Sequence, residues 1–190
     1  MNHPYIFESE RLGFRRWQES DRIPFSIMNA DASVMKYFPN GLTKKASDLL
    51  LERFEKHLLE KGYGIWAVEI KKNREFIGFI GLLEINMDVD FKKSTEIGWR
   101  LDKRFWKKGY AVEGATACLE YAFNILQMNE IYSFTSLLNQ PSETVMQRIG
   151  MKKVKEFDHP NVEADSPLRR HVLYKIQNGN HFGQLSHKND

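Results

Sequence analysis

Three stretches patterned as β-strands follow one another with only short polar segments between them: 65–70, 76–85 and 95–101. That succession constrains the fold more than any other feature of the chain. The turn Lys71-Lys72-Asn73-Arg74-Glu75 and the mixed-charge loop 86–93 are too short to carry the chain back over a sheet, so they predict antiparallel neighbours. The next connection differs. A helical pattern over 109–126 separates 95–101 from a strand pattern at 131–137, which predicts one parallel crossover.

The flanks complete the order. Arg11 to Trp17 alternates as a half-buried strand does, and Ser20 or Asp21 opens a helix towards Asn29. Pro39-Asn40-Gly41 breaks the chain, and Thr43 opens a longer helix to about Lys61. On the C-terminal side a short helix at 141–149 is stopped by Gly150, and strands at 151–157 and 170–176 flank the loop 158–167 with its two prolines. This order predicts an α/β (α+β) fold: a mixed, mostly antiparallel central sheet of about seven strands with helices on both faces, not a doubly wound one. Residues 1–177 read as a single domain, and 178–190 as a polar, mobile tail.

Composition removes several function classes. The 190 residues carry a net charge of only +3, too balanced to argue for nucleic acid. The one cysteine, Cys118, excludes an intrachain disulfide and a cysteine-cluster metal site, and its apolar helical setting marks a buried structural thiol. The N-terminal stretch lacks the apolar core of a signal peptide, and no apolar run approaches the ~20 residues that span a membrane. The expectation is a cytoplasmic protein with no membrane partner. A homodimer is compatible with the sequence, though no feature calls for one.

The informative stretch runs from Glu96 to Ala122. A strand ends at Leu101, a basic loop follows, and a helix opens near Gly109 or Tyr110. Unpaired N–H groups and the positive end of the dipole sit at such a helix start, so an anion is stabilised there. Gly109 permits close backbone approach or a positive φ, while Lys107 and Lys108, with Lys103 and Arg104 nearby, add positive charge. Neither GxxxxGK[ST] nor GxGxxG occurs.

The run Phe105-Trp106-Lys107-Lys108-Gly109-Tyr110-Ala111-Val112-Glu113-Gly114-Ala115 resembles the pyrophosphate-binding motif of the GNAT acetyltransferases, in the branch similar to ribosomal-protein alanine N-acetyltransferases. Lys107 stands where that motif usually has its first glycine. The resemblance extends over roughly residues 8 to 177. Glu8-Ser9-Glu10-Arg11-Leu12 is similar to the family's first strand, and Arg148-Ile149-Gly150-Met151-Lys152 to the end of a second cofactor-facing segment. It implies acetyl-CoA as co-substrate and no metal. Its pyrophosphate would lie on Trp106, Lys107, Lys108, Gly109, Tyr110 and Ala111. Its pantetheine would pair with backbone of Trp99, Arg100 and Leu101, in a splay between the fourth and fifth strands, 95–101 and 131–137.

Asn139 and Ser142 stand at a helix start, where polar residues serve as caps. The resemblance implies more: an amide contact to pantetheine from Asn139 and a hydroxyl near the thioester sulfur from Ser142.

Acetyl transfer to an amine needs a group that takes the ammonium proton and a donor for the charge that develops on the carbonyl oxygen. Glu96, on one strand face with Gly98 and Arg100, is the candidate base, and Ser142 the candidate acid at the sulfur; Tyr110 and Tyr132 read as packing residues. By analogy Trp17 and Phe38 wall the acceptor site, with His171 pointing into it. His159 and His171 tempt a metal reading, but no HExxH or comparable spacing supports one. The implied activity is direct N-acetyl transfer in a ternary complex to a primary amine, either a protein N-terminus or a small molecule. A non-catalytic CoA-binding module is the alternative.

Overall fold

The computed structural model describes residues 4–179. The expected mobile tail at 178–190 therefore lies almost wholly outside the described residues. The elements are β1 (Phe7–Glu8), β2 (Leu12–Arg15), α1 (Arg22–Ala30), α2 (Lys44–Lys61), β3 (Ile65–Ile70), β4 (Glu75–Glu84), β5 (Thr95–Leu101), α3 (Tyr110–Asn124), β6 (Glu130–Ser136), α4 (Gln140–Arg148), β7 (Lys152–Asp158) and β8 (Arg170–Gln177). The sheet has eight strands in the order β1-β2-β3-β4-β5-β6-β8-β7. It is mixed and mostly antiparallel, with one strand more than the sequence predicts. The extra strand, β1, has only two residues and so no alternation to read.

The chain divides into two compact units, Met1–Leu83 with Ile97–Cys118, and Glu84–Glu96 with Leu119–Asp190. In the first, β3 and β4 form the predicted hairpin, with Ile65 opposite Gly81 and Ile70 opposite Glu75. The Thr43 hydroxyl accepts from the Ala46 N–H at 3.2 Å and starts α2, which ends at Gly62. Leu51, Phe54 and Leu58 recur at helical spacing and are buried. Leu51 and Phe54 meet Phe25 and Met28 of α1 together with Trp17, Ile65 and Phe79 in one core.

A buried ion network supports the start of this unit. Arg15 donates to both carboxylate oxygens of Asp21, at 2.7 and 2.9 Å, and to Glu69. All three residues are at most 5% exposed. Burial alone would lower the Arg15 pKa, but the hydrogen bonds from Asp21 and Glu69 overrule it and raise it.

Helix α3 owes its closeness to the sheet to a missing side chain. A Cβ on Gly114 would stand 2.4 Å from Ile80 Cδ1 and 3.2 Å from Leu12 Cδ1. Ala115 and Cys118 are fully buried on the same helix. In the second unit β8 lies between β6 and β7, antiparallel to both. Ile85, Phe91 and Leu173 form its core, with Tyr132, Phe134 and Phe157 packed against them.

Candidate functional site

The turn ahead of α3 is anchored at both ends. The Asp102 carboxylate accepts from the Arg104 N–H at 2.9 Å and caps a single 3-10 turn, Lys103–Phe105. Phe105 is buried, and the Trp106 indole N–H donates to the Leu101 carbonyl at 2.8 Å. Between these anchors and the helix the backbone twice enters the left-handed region, at Lys107 (φ 60°) and Gly109 (φ 82°). Alternating backbone hand turns successive N–H groups towards one concavity, a nest suited to an anion. It is continuous with the first turn of α3, whose N–H groups have no intrahelical acceptors. Lys107 thus adopts the conformation that the glycine of the resembling motif would supply.

The charge around the turn is less mobile than the sequence suggests. Lys103 pairs with Asp31 at 2.6 Å and Arg104 with Asp102 at 3.1 Å. Lys107 and Lys108 are exposed, and among the described residues neither carries an ion pair. A third cation beside the turn was missed by sequence reasoning. Arg11 Nη2 would lie 3.3 Å from a Cβ on Gly109, and the guanidinium sits 4.5 Å from the Tyr110 ring centroid. It is held there by Glu113, which accepts from Arg11 Nε at 2.6 Å, from the Arg11 N–H at 2.7 Å and from the Ser9 hydroxyl at 2.7 Å. Burial would raise the Glu113 pKa; these hydrogen bonds outweigh it and lower it.

On β5 the two edges differ. The Asp102 N–H donates to the Ile77 carbonyl, and the Arg100 carbonyl faces Gly78, so alternate residues present their backbone groups to β4. Trp99 and Leu101 present theirs to the opposite edge. The expectation that Arg100 contributes backbone there is corrected, because its peptide groups face β4. The Leu101 carbonyl is also taken, by Trp106.

The second unit holds Glu96, Asn139, Ser142 and His171. Glu96 pairs with Tyr132 across the parallel β5–β6 ladder. The residue keeps some exposed surface, yet desolvation of its carboxyl pushes the pKa up to about 7. Asn139 caps α4: its Oδ1 accepts from the Ser142 N–H at 3.4 Å and its Nδ2 donates to Thr135 at 2.9 Å. Ser142 is half-buried in the first turn, and no described residue hydrogen-bonds its hydroxyl.

Two expected acceptor residues stand in packed surroundings. Trp17 is only 6% exposed, donates its indole N–H to the Ile65 carbonyl at 2.9 Å and packs on Phe25 and Phe54, so it belongs to the core of the first unit. His171 stands in an aromatic cluster with Phe134, Phe157 and His159, its ring 4.8 Å from that of His159. Burial lowers the pKa of both histidines, that of His159 to about 4. Among the described residues no group of three or more His, Cys, Asp or Glu could hold a metal ion.

Phe38 does line a cleft, of about 470 Å³, in the first unit. Its walls come from the 35–42 segment, from α2 and from the Arg100 side chain. The Arg100 guanidinium lies 4.2 Å from the Phe38 ring centroid.

Comparison with known proteins gives one family. Residues 11–152 match the family model described as an acetyltransferase (GNAT) domain. The uncharacterized N-acetyltransferase YnaD of Bacillus subtilis is 30% identical over 147 residues, 76% of this chain and 81% of that protein. A GNAT-family acetyltransferase structure from Bacillus anthracis superposes with a TM-score of 0.75 at 24% identity, covering 90% of this chain and 97% of that one. The spermidine N-acetyltransferase of Vibrio cholerae, solved with CoA and spermine, gives 0.73 at 20% identity, covering 90% and 98%.

Proposed function

The chain belongs to the GNAT acetyltransferase family, and from that premise we propose that it moves the acetyl group of acetyl-CoA directly to a primary amine, within one catalytic domain over residues 1–177. The observation that carries this reading is the pair of left-handed residues, Lys107 and Gly109, immediately before α3. They make a backbone cradle for a diphosphate, with Trp106, Lys108, Tyr110 and Ala111 completing the turn and Arg11 adding a held cation beside it. The edge of β5 at Trp99, with the N–H of Leu101, suits strand-like pairing with the amides of a pantetheine arm.

Bound acetyl-CoA supplies the acetyl group as a thioester; the chain's own residues do the rest. Glu96, ionised, accepts the proton of the acceptor ammonium. Its pKa of about 7 suits that work near neutrality, because a base there is both substantially ionised and able to take a proton. The Ser142 hydroxyl donates a hydrogen bond to the sulfur. A thiol has a pKa near ~8.5 and leaves without full protonation, so a weak donor suffices. Asn139 holds the start of α4, and thereby Ser142, in place. Cys118 is fully buried and takes no covalent part. No helix among the described residues is long and apolar enough to cross a membrane, and the proposal places the enzyme in the cytoplasm.

Titration of acetyl-CoA into wild type and Gly109→Val tests the assignment. Valine at φ 82° is strained and would remodel the cradle, so affinity should fall about tenfold or more with the fold intact. Unchanged affinity would refute the cradle. Thiol release with a panel of amines tests transfer itself, and tight binding without turnover on any amine or peptide would favour a CoA-binding module.

A further inference from the structure

The cleft beside Phe38 has a chemical bias. Most of its lining is apolar, including Met35, Phe38, Leu42 and Leu50. The charged residues in it are Arg53 and Arg100, and no Asp or Glu lines it. Arg53 is exposed and, among the described residues, carries no ion pair.

Arg100 is the more telling of the two. Its Nη1 donates to Asn29 Oδ1 at 2.6 Å, and Asn29, fully buried, donates in turn to the Ser47 hydroxyl at 2.9 Å. The guanidinium is stacked against Phe38, with the Phe79 centroid 5.4 Å away. Its Nε is buried and has no hydrogen-bond partner, and no carboxylate pairs with it among the described residues. Desolvation lowers its pKa to about 10, so it remains charged at neutral pH. A desolvated charge with one neutral partner and a spare N–H is incomplete, and Asn29 and the two rings hold the side chain where it stands. An anionic oxygen group completes it, and the planar fork of a guanidinium matches a carboxylate.

We infer that this cleft takes an acceptor amine with an apolar body and a carboxylate, and that Arg100 is the residue that selects the carboxylate. This rests on the acetyl-transfer reading above. The same lining argues against a polyamine, whose ammonium groups would meet two arginines and no acid. Fold likeness to a spermidine N-acetyltransferase therefore carries no polyamine specificity to this cleft.

The test titrates phenylalanine, phenylalaninamide and spermidine, and separately acetyl-CoA, into full-length wild type, Arg100→Met and Arg100→Lys. Wild type should bind phenylalanine about tenfold or more tightly than its amide, the worth of one charge-assisted hydrogen-bonded pair. Arg100→Met should erase that preference and Arg100→Lys keep part of it, with acetyl-CoA affinity unchanged in both. The lysine variant guards against a methionine variant that fails to fold. Equal binding of the acid and the amide, no binding of phenylalanine, stronger binding of spermidine, or a preference that survives Arg100→Met overturns the inference. Wild type that binds phenylalanine but not acetyl-CoA overturns the acetyl-transfer reading instead, and with it the role of acceptor.

Discussion

Replacing Glu96 by Gln should make the protein more stable at pH 8 while removing its activity. Desolvation lifts the carboxyl from 4.5 to about 7. The folded chain therefore holds a proton that the unfolded chain releases, and stability falls as pH rises from 4.5 to about 7, then levels off. A shift of that size corresponds to at most about 3 kcal/mol, and the residue's partial exposure brings it nearer 2. Glutamine is nearly isosteric and does not ionise, so Glu96→Gln should gain this amount at pH 8 and almost none at pH 4.5. For a chain of this size that is a rise in Tm of roughly 4–8 °C. Urea unfolding of both proteins between pH 4.5 and 8 measures the difference directly. A difference that stays flat with pH, or a wild type more stable at pH 8, would show that the ionised carboxylate is compensated in the folded state and would sink the reasoning. The companion assay is acetyl-CoA-dependent thiol release. Wild-type turnover should rise with pH through about 7, and Glu96→Gln should lose about 10²- to 10⁴-fold. A variant that keeps its rate rules out Glu96 as the base.

Three further outcomes are expected. Lys107→Gly removes a side chain from a left-handed position, so acetyl-CoA affinity should be kept and stability should change by less than about 1 kcal/mol, because relief of strain and the added freedom of the unfolded chain nearly cancel; a large loss of affinity in a titration would mean the lysine side chain, not the backbone, holds the anion. Asp21→Ala leaves Arg15 short of its bidentate partner in a buried site and should cost about 3–5 kcal/mol in urea unfolding; a cost under ~1 kcal/mol would mean water reaches the network. Arg11→Met should weaken acetyl-CoA binding by about three- to tenfold and flatten its salt dependence, while an unchanged salt dependence would show that Arg11 serves only to hold Glu113.

The strands and helices were legible where periodicity is long enough to carry information. Thr43 at the start of α2, the turn after Ile70 and the crossover through α3 follow directly from residue pattern. The nest could be placed in the chain from Gly109 and its lysines, because its chemistry is local. What the sequence concealed depends on neighbours distant in the chain. Arg11 meets Glu113 across 102 positions, a separation no spacing argument reaches. Trp17 at the end of a strand pattern reads equally as cleft wall or core, and only packing against Phe25 and Phe54 decides for core. Arg100 was visible as a neighbour of Glu96 on one strand face, but its importance lies in having no carboxylate partner, which only three-dimensional neighbours reveal.

Cys118 gives the chain an internal record of its own opening. The thiol is fully buried in α3, and desolvation drives its pKa upward, so in the folded protein it offers a labelling reagent neither access nor thiolate. With no second cysteine in the sequence, an exposed thiol cannot be hidden again in an intrachain disulfide. Each labelled molecule then marks one excursion from the native state, and the labelling rate, with and without ligand, reports how often α3 comes away from the sheet.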